Sequence, residues 1–167
     1  FCSGEITTKR GRSRIVVSCL YPVEEGLVVK THSEKVLRLR IGILELLLSR
    51  CPSVPRLQEL AKELKLNQPR FKLGNENCIL CGLCIRVCEE IAGVSAISAV
   101  NRGVKKEVAT PFFDSSQVCI GCGGCAYVCP TRAIKIENNQ IKLGSKVFKE
   151  ISPEASQKVM ETLELQP

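Results

Sequence analysis

Residues 78 to 90 read CILCGLCIRVCEE, and residues 119 to 131 read CIGCGGCAYVCPT. Both runs follow C-x2-C-x2-C-x3-C, and seven of their thirteen aligned positions are identical. Cysteine thiolates are soft donors, so eight of them in two tight arrays point to metal chemistry more than to disulfides. A structural zinc site takes four ligands, usually as two pairs with a longer spacer, and a repeated triplet plus one fits that poorly. Three cysteines spaced by two residues let one tight loop wrap a [4Fe–4S] cube. The fourth, three residues on, leaves along a helix and serves the other cube of a pair. The expected ligand sets are therefore crossed. Cys78, Cys81 and Cys84 take Cys129, and Cys119, Cys122 and Cys125 take Cys88.

The residues around the cysteines suit that reading. Gly82, Gly121, Gly123 and Gly124 let the backbone bend closely round a cluster, as turn glycines also do. Ile79 and Ile120 are placed to shield the clusters from water. The second array ends in Cys129-Pro130, where proline stops a helix. The first ends in Cys88-Glu89-Glu90, so its helix is expected to run on through Ile91 towards Gly93 and into an insert reaching about residue 113. Carboxylates beside a cluster lower its potential, but a Glu89-Glu90 pair is more often a solvated helix face.

Other elements must position these arrays. Arg12 to Leu20 and Leu27 to Thr31 read as strands joined across residues 21 to 26. Thr31-His32-Ser33-Glu34 is a capping-box pattern, and Leu37, Ile41, Leu44 and Leu48 recur at helical spacing, predicting a helix over 33–50. A second helix follows, with Ser53 at its cap, Pro55 in its first turn, and Leu57, Leu60, Ala61 and Leu64 on one face. Between the arrays, 96–100 and 107–110 predict a hairpin about Asn101-Arg102-Gly103. After them, 133–137 and 140–143 predict another about Asn138-Asn139. Ser152-Pro153-Glu154 opens a terminal helix with Val159, Met160 and Leu163 on one side, which either covers its own core or docks a partner.

Composition narrows the setting. At 167 residues the chain fits one domain or two small ones, and with no Trp its core leans on Leu, Ile and Val. Eleven cysteines, an odd count, and no signal-peptide pattern point to a reducing cytoplasm. The chain opens on Phe1 instead of Met, which leaves room for a preceding segment. The longest greasy run, Ile41 to Leu48, is interrupted by Gly42 and Glu45, so no membrane insertion is expected. The formal charge of +7 falls to about +3 once eight thiolates and two oxidised cubes are counted. No reading motif accompanies it, so nucleic acid is not an expected partner.

Residues 2 to 31, CSGEITTKRGRSRIVVSCLYPVEEGLVVKT, resemble the end of a plant-type [2Fe–2S] domain. That domain stands in this context in the large iron–sulfur subunit of respiratory NADH dehydrogenase and in related subunits of NAD-linked hydrogenases. Cys2 and Cys19 match its last two ligands, and its first two would precede residue 1. The likeness continues through SEKVLRLRIGILELLLSRCP, CILCGLCIRVCEEIAGVSAI and NRGVKKEVATPF to the second array. Where those relatives carry a His and three closely spaced cysteines, this chain offers Cys51 followed by PSVPRLQELA. In this it is similar to shorter cousins that wire flavin, tungsten or molybdenum subunits together, class II benzoyl-CoA reductase complexes among them.

The implied fold is α+β. A remnant of a plant-type ferredoxin domain (1–32) and a two-helix segment (33–70) precede a two-cluster, bacterial-ferredoxin-like domain (71–150) and a C-terminal helix or tail (151–167). Cys2, Cys19 and Cys51, with or without His32, raise a third iron–sulfur cluster. The alternative is that they are buried, inert cysteines and that His32 is a surface or capping residue. The sequence shows no nucleophile–base constellation, phosphate-binding loop or H-E-x-x-H site. The expected role is a non-catalytic electron-transfer subunit in a hetero-oligomer with a tungsten, molybdenum, hydrogenase or flavin subunit. A free ferredoxin carrier and a zinc-stabilised interaction module are the rivals.

Overall fold

Ser3–Thr7 forms β1, a strand whose sequence, SGEIT, holds a single large apolar residue. In the computed structural model, which describes residues 2–9, 11–74 and 76–164, this strand is nevertheless central. It lies between β2 (Ser13–Val17) and β3 (Val28–Lys30), antiparallel to both. The two strands expected from the sequence therefore exist, but they do not pair with each other. Each pairs with β1, with Glu5 opposite Ile15 on one side and Lys30 on the other. Four of the five β1 residues are buried, polar ones included, which is why alternation of hydropathy does not reveal it.

Glu5 is the pin of this sheet. Its carboxylate accepts the Ser13 hydroxyl at 2.5 Å and the Lys35 ammonium at 2.9 Å. Hydrogen bonds from Ser13, then Ser33 and Lys35, hold its carboxyl down at about 2. The pin thus ties β1 to β2 and to the start of α1 (Glu34–Arg50). Ser33, not Thr31, caps that helix, taking the Val36 N–H on its hydroxyl at 3.4 Å. Val36, Leu44 and Leu48 face inward together with Glu45 and Ser49. Glu45, which breaks the apolar run in the sequence, accepts the backbone N–H, Nε and Nη2 of Arg70 at 2.7–3.0 Å. Leu73 and Gly74 donate to the Ser49 carbonyl, so the segment after the helices is latched to α1. In α2 (Pro55–Glu63) the cap is Val54, not Ser53, and Pro55 holds the first position. These elements make one unit, residues 1–75.

The second unit, residues 76–167, contains both cysteine arrays. α3 (Leu83–Arg86) passes directly into a wider, π-helical turn over Val87–Ile91, closed by the Ala92 N–H on the Val87 carbonyl at 2.9 Å. Gly93, at φ +71°, ends it, where the sequence expected an end. β4 (Ser98–Val100) and β5 (Glu107–Ala109) form the first hairpin. α4 (Gly124–Tyr127) is short and stops before Cys129-Pro130. β6 (Ile134–Glu137) and β7 (Gln140–Leu143) turn through Asn138 and Asn139, both at positive φ, as a two-residue hairpin loop requires. β8 (Lys146–Glu150), absent from the sequence reading, adds to β7. α5 (Pro153–Glu164) lays the buried Val159 onto Gly124, with a methyl 3.1 Å from where a Gly124 Cβ would stand. It covers its own unit's core.

Because the Glu5 carboxyl is depressed, its contribution to stability is complete above the unfolded value of 4.5 and is lost as pH falls towards 2. The urea midpoint of Glu5→Gln, followed by circular dichroism, is expected to lie below wild type at pH 7. The gap closes as pH falls from 4.5 towards 2; a gap independent of pH contradicts the role given to Glu5.

Candidate metal centres

The two cysteine loops share one backbone pattern. Leu80 and Gly82 stand at φ +56° and +79°, and their counterparts Gly121 and Gly123 at +71° and +72°. At Gly121 a Cβ would lie 2.3 Å from the Glu150 carbonyl oxygen and 3.0 Å from the Ser152 nitrogen, so only glycine fits. The Ser152 N–H returns a hydrogen bond to the Gly121 carbonyl at 2.9 Å, fixing the second loop against the entry to α5. These left-handed bends fold each loop back on itself, turning its cysteines inward.

Two hollows of nearly equal size result. One is lined by Cys78, Cys81 and Cys84 together with Cys129. The other is lined by Cys119, Cys122 and Cys125 together with Cys88. Cys84 on α3 and Cys88 on the π-helical turn that continues it lie four residues apart, and Cys125 on α4 and Cys129 just past its end have the same spacing. Each short helix with its immediate continuation therefore offers a sulfur to both hollows. Ile79, Val108, Ile134 and Leu143 wall the first, and Ala96, Ile120, Ile141 and Phe148 wall the second. Ile79 and Ile120 thus stand where the sequence reading put them, although Ile120 also shows two-fifths of its surface to solvent.

The electrostatics say what such hollows accept. Burial, and then the charges of Cys78 and Cys81, push the Cys84 thiol up to about 11. Burial likewise pushes Cys125 up, with Cys122 and Cys119 adding to it. Cys119 moves the same way, against the pull of the Gly121 N–H and the Lys149 ammonium. Four thiolates in so dry a place coexist only around a cationic core. Among the described residues, no three His, Cys, Asp or Glu side chains close round one point as a single ion needs. Quartets of sulfur ringing a hollow suit an iron–sulfur cluster, with metal at several corners, better than a lone zinc.

Sequence reasoning missed one contact. The Ala96 N–H donates to the Cys88 sulfur at 3.2 Å in buried surroundings. At Cys129 the sulfur instead meets the Thr131 hydroxyl at 3.8 Å. A backbone donor carries no residue-type signal, so only the three-dimensional structure reveals it.

The three remaining cysteines are not gathered into one place. Cys2 and Cys19 are exposed, at the same end of β1 and β2, where the Ser18 N–H donates to the Cys2 carbonyl at 2.7 Å. The alternative of burial is thereby corrected for these two. Cys51 is fully buried at the end of α1, in keeping with an inert core residue. His32 is exposed just before α1, with Nδ1 2.9 Å from the Thr31 hydroxyl. The 17 residues of α1 separate His32 from Cys51 by about 25 Å, so no single cluster takes both.

Residues 77–133 match the family described as 4Fe-4S dicluster domain. The NADP-reducing hydrogenase subunit HndD of Solidesulfovibrio fructosivorans is 32% identical, over 80% of this chain and 27% of that protein. The NADPH-Fe(3+) oxidoreductase subunit alpha of Geobacter sulfurreducens is 31% identical, over 78% and 18%. An NADH-quinone oxidoreductase subunit of Rickettsia prowazekii is 29% identical, over 71% and 21%. An NAD+-reducing [NiFe]-hydrogenase, solved in the H2-reduced state, aligns over 65% of this chain and 55% of that one. Its TM-score is 0.52 and its identity 26%. The chain spans about a quarter or less of the length of these curated relatives. The resemblance to the iron–sulfur subunits of NADH dehydrogenase and NAD-linked hydrogenase is thus shared by sequence and structure.

Two glycine substitutions test the loop geometry in opposite directions. Gly121→Ala costs at least about 1–2 kcal/mol from the left-handed backbone alone, before the clash with Glu150 is counted. Gly42→Ala, inside α1 with open space around it, gains about 1 kcal/mol. Calorimetry is expected to show the melting temperature fall in the first and rise in the second.

Proposed function

We propose that this chain is a non-catalytic electron-transfer subunit that relays single electrons between redox centres of partner subunits in an oxidoreductase complex. The observation carrying this reading is the crossed lining of two matched hollows by four cysteines each. Cys78, Cys81, Cys84 and Cys129 hold one [4Fe–4S] cluster, and Cys88, Cys119, Cys122 and Cys125 hold the other. A bound cubane supplies one-electron redox chemistry at low reorganisation. The protein's share is to ligate, to exclude water with the aliphatic walls, and to fix the spacing of the two sites through helices common to both. The relatives named as hydrogenase and NADH- or NADPH-linked oxidoreductase subunits support a hetero-oligomer; its catalytic partner is read as a hydrogenase, flavin, tungsten or molybdenum subunit. Among the described residues, no helix is long and apolar enough to cross a membrane. Eight thiols committed to metal favour the cytoplasm.

The first unit carries a finer reading. β1 to β3 with Cys2 and Cys19 correspond to the end of a plant-type [2Fe–2S] domain, with both sulfurs exposed at one strand end. A cluster there needs further ligands that the described residues do not bring beside them.

Anaerobically purified protein is expected to be brown and to hold about eight irons and eight acid-labile sulfides per chain. About ten or twelve irons restores a third cluster, and stoichiometric zinc without colour contradicts the reading. Paramagnetic resonance of the reduced protein tests the crossing: Cys129→Ser is expected to perturb the same signal as Cys81→Ser, and Cys88→Ser the same signal as Cys122→Ser. Isolation from native cells as a partnerless monomer overturns the subunit assignment in favour of a free carrier.

A further inference from the structure

The two halves of the cysteine-rich unit differ by one helical turn, and the difference ends at a ligand sulfur. In the second half, the Cys129 carbonyl accepts the Arg132 N–H at 3.2 Å, Arg132 stands at φ +52°, and buried Ala133-Ile134 follow. In the first half, the Cys88 carbonyl accepts the Ser95 N–H at 3.2 Å, Ser95 stands at φ +46°, and buried Ala96-Ile97 follow. VSAI at 94–97 and TRAI at 131–134 are thus equivalent, and the hairpin after the first is a counterpart of β6 and β7. What is inserted is smaller than the sequence suggests. Eight positions separate Cys88 from Ala96, while four separate Cys129 from Ala133. The four extra residues are taken up by the π-helical turn and its closing Gly93. π-Turns are rare and recur at functional sites.

The added turn changes what the chain points at Cys88. Val94 and Ser95 both aim their N–H groups at the Cys88 carbonyl, and the next, Ala96, reaches the sulfur at 3.2 Å. Among the described residues, no such backbone donor is found at the Cys129 sulfur, which meets only the distant Thr131 hydroxyl. Hydrogen bonds to ligand sulfurs withdraw charge from a cluster and favour its reduced state. Burial strengthens that effect, because no water competes and the local dielectric is low. The carboxylates on the same turn oppose it only weakly: Glu89 and Glu90 are exposed, and Glu90 is paired with Arg86 at 3.3 Å. The Lys149 ammonium, which acts on Cys119, works in the same direction as Ala96 but does not depend on the turn.

We infer that the extra turn between Cys88 and Ala96 is a potential-setting device: it brings the buried Ala96 N–H to the Cys88 sulfur and raises the reduction potential of the cluster held by Cys88, Cys119, Cys122 and Cys125. Ala96 is a positioning residue whose backbone, not its side chain, does the work. This rests on the proposed ligation, so iron content and visible absorbance are checked first in every sample; failure to load clusters counts against the ligation and not against this inference.

In loaded protein, an ester in place of the Ser95–Ala96 amide removes the donor and leaves the methyl side chain. Redox titration followed by paramagnetic resonance is expected to show one of the two clusters, the one altered in Cys122→Ser, move to lower potential. An ester at the Arg132–Ala133 linkage is expected to leave both nearly in place. Equal movement in the two variants, or none in the first, overturns the inference. A measurement without a backbone change guards against misfolding. With 15N-alanine label, pulsed resonance of the reduced protein is expected to show a nitrogen coupling at that cluster. Ala96→Gly, which keeps the N–H but not the label, is expected to lose it. A coupling that survives Ala96→Gly, or that is absent from the start, contradicts the contact.

Discussion

A thiolate is not buried without a counter-charge, and this chain buries or half-buries seven of the eight thiols in its two arrays. Everything in the second unit follows from how that constraint is met. Each of two short helices, with the residues that directly follow it, carries a pair of cysteines four positions apart, and the members of a pair line different hollows. Neither array completes a site alone. A metal core in either hollow therefore cross-links the two halves, and the fold and the sites become one cooperative object. The same arrangement keeps the hollows neighbours: Cys125 feels the charges of Cys84 and Cys88 as well as those of its own loop.

The scaffold around this constraint is made of small matched pieces. Left-handed residues at equivalent places bend both loops, and a hairpin follows each short helix. Aliphatic side chains from the hairpins, Val108 from the first and Ile134, Ile141 and Leu143 from the second, close the walls. The symmetry is broken at the ends of the two helices, by proline after Cys129 and by the wider turn after Cys88. The first unit stands on a different principle. Two carboxylates, each buried, hold it together: Glu5 ties the sheet to the start of α1 through Ser13 and Lys35, and Glu45 ties α1 to Arg70 in the segment after the helices.

The crossed grouping of the eight array cysteines around two hollows was legible because their spacing is a covalent fact written along the chain. The hairpin at Asn138-Asn139 was equally plain, since two asparagines at positive φ are what such a loop requires. β1 was not legible: SGEIT earns its central place through the Glu5 hydrogen bonds and through pairing partners far along the chain. Glu45 reads as an interruption of an apolar helix, yet Arg70, 25 residues away, makes it an anchor. The extent of the insert was overestimated, because VSAI and TRAI share too few residues to be matched without the backbone angles. The Ala96 donor could not be read at all, since every residue but proline has that N–H.

The crossing of the ligand sets is the claim on which the rest turns. Anomalous scattering at the iron edge from crystals of anaerobically purified protein addresses it directly. Two compact four-iron peaks are expected, one within reach of Cys78, Cys81, Cys84 and Cys129, the other within reach of Cys88, Cys119, Cys122 and Cys125. A peak bonded to all four cysteines of one array, or single-metal peaks in their place, would contradict it.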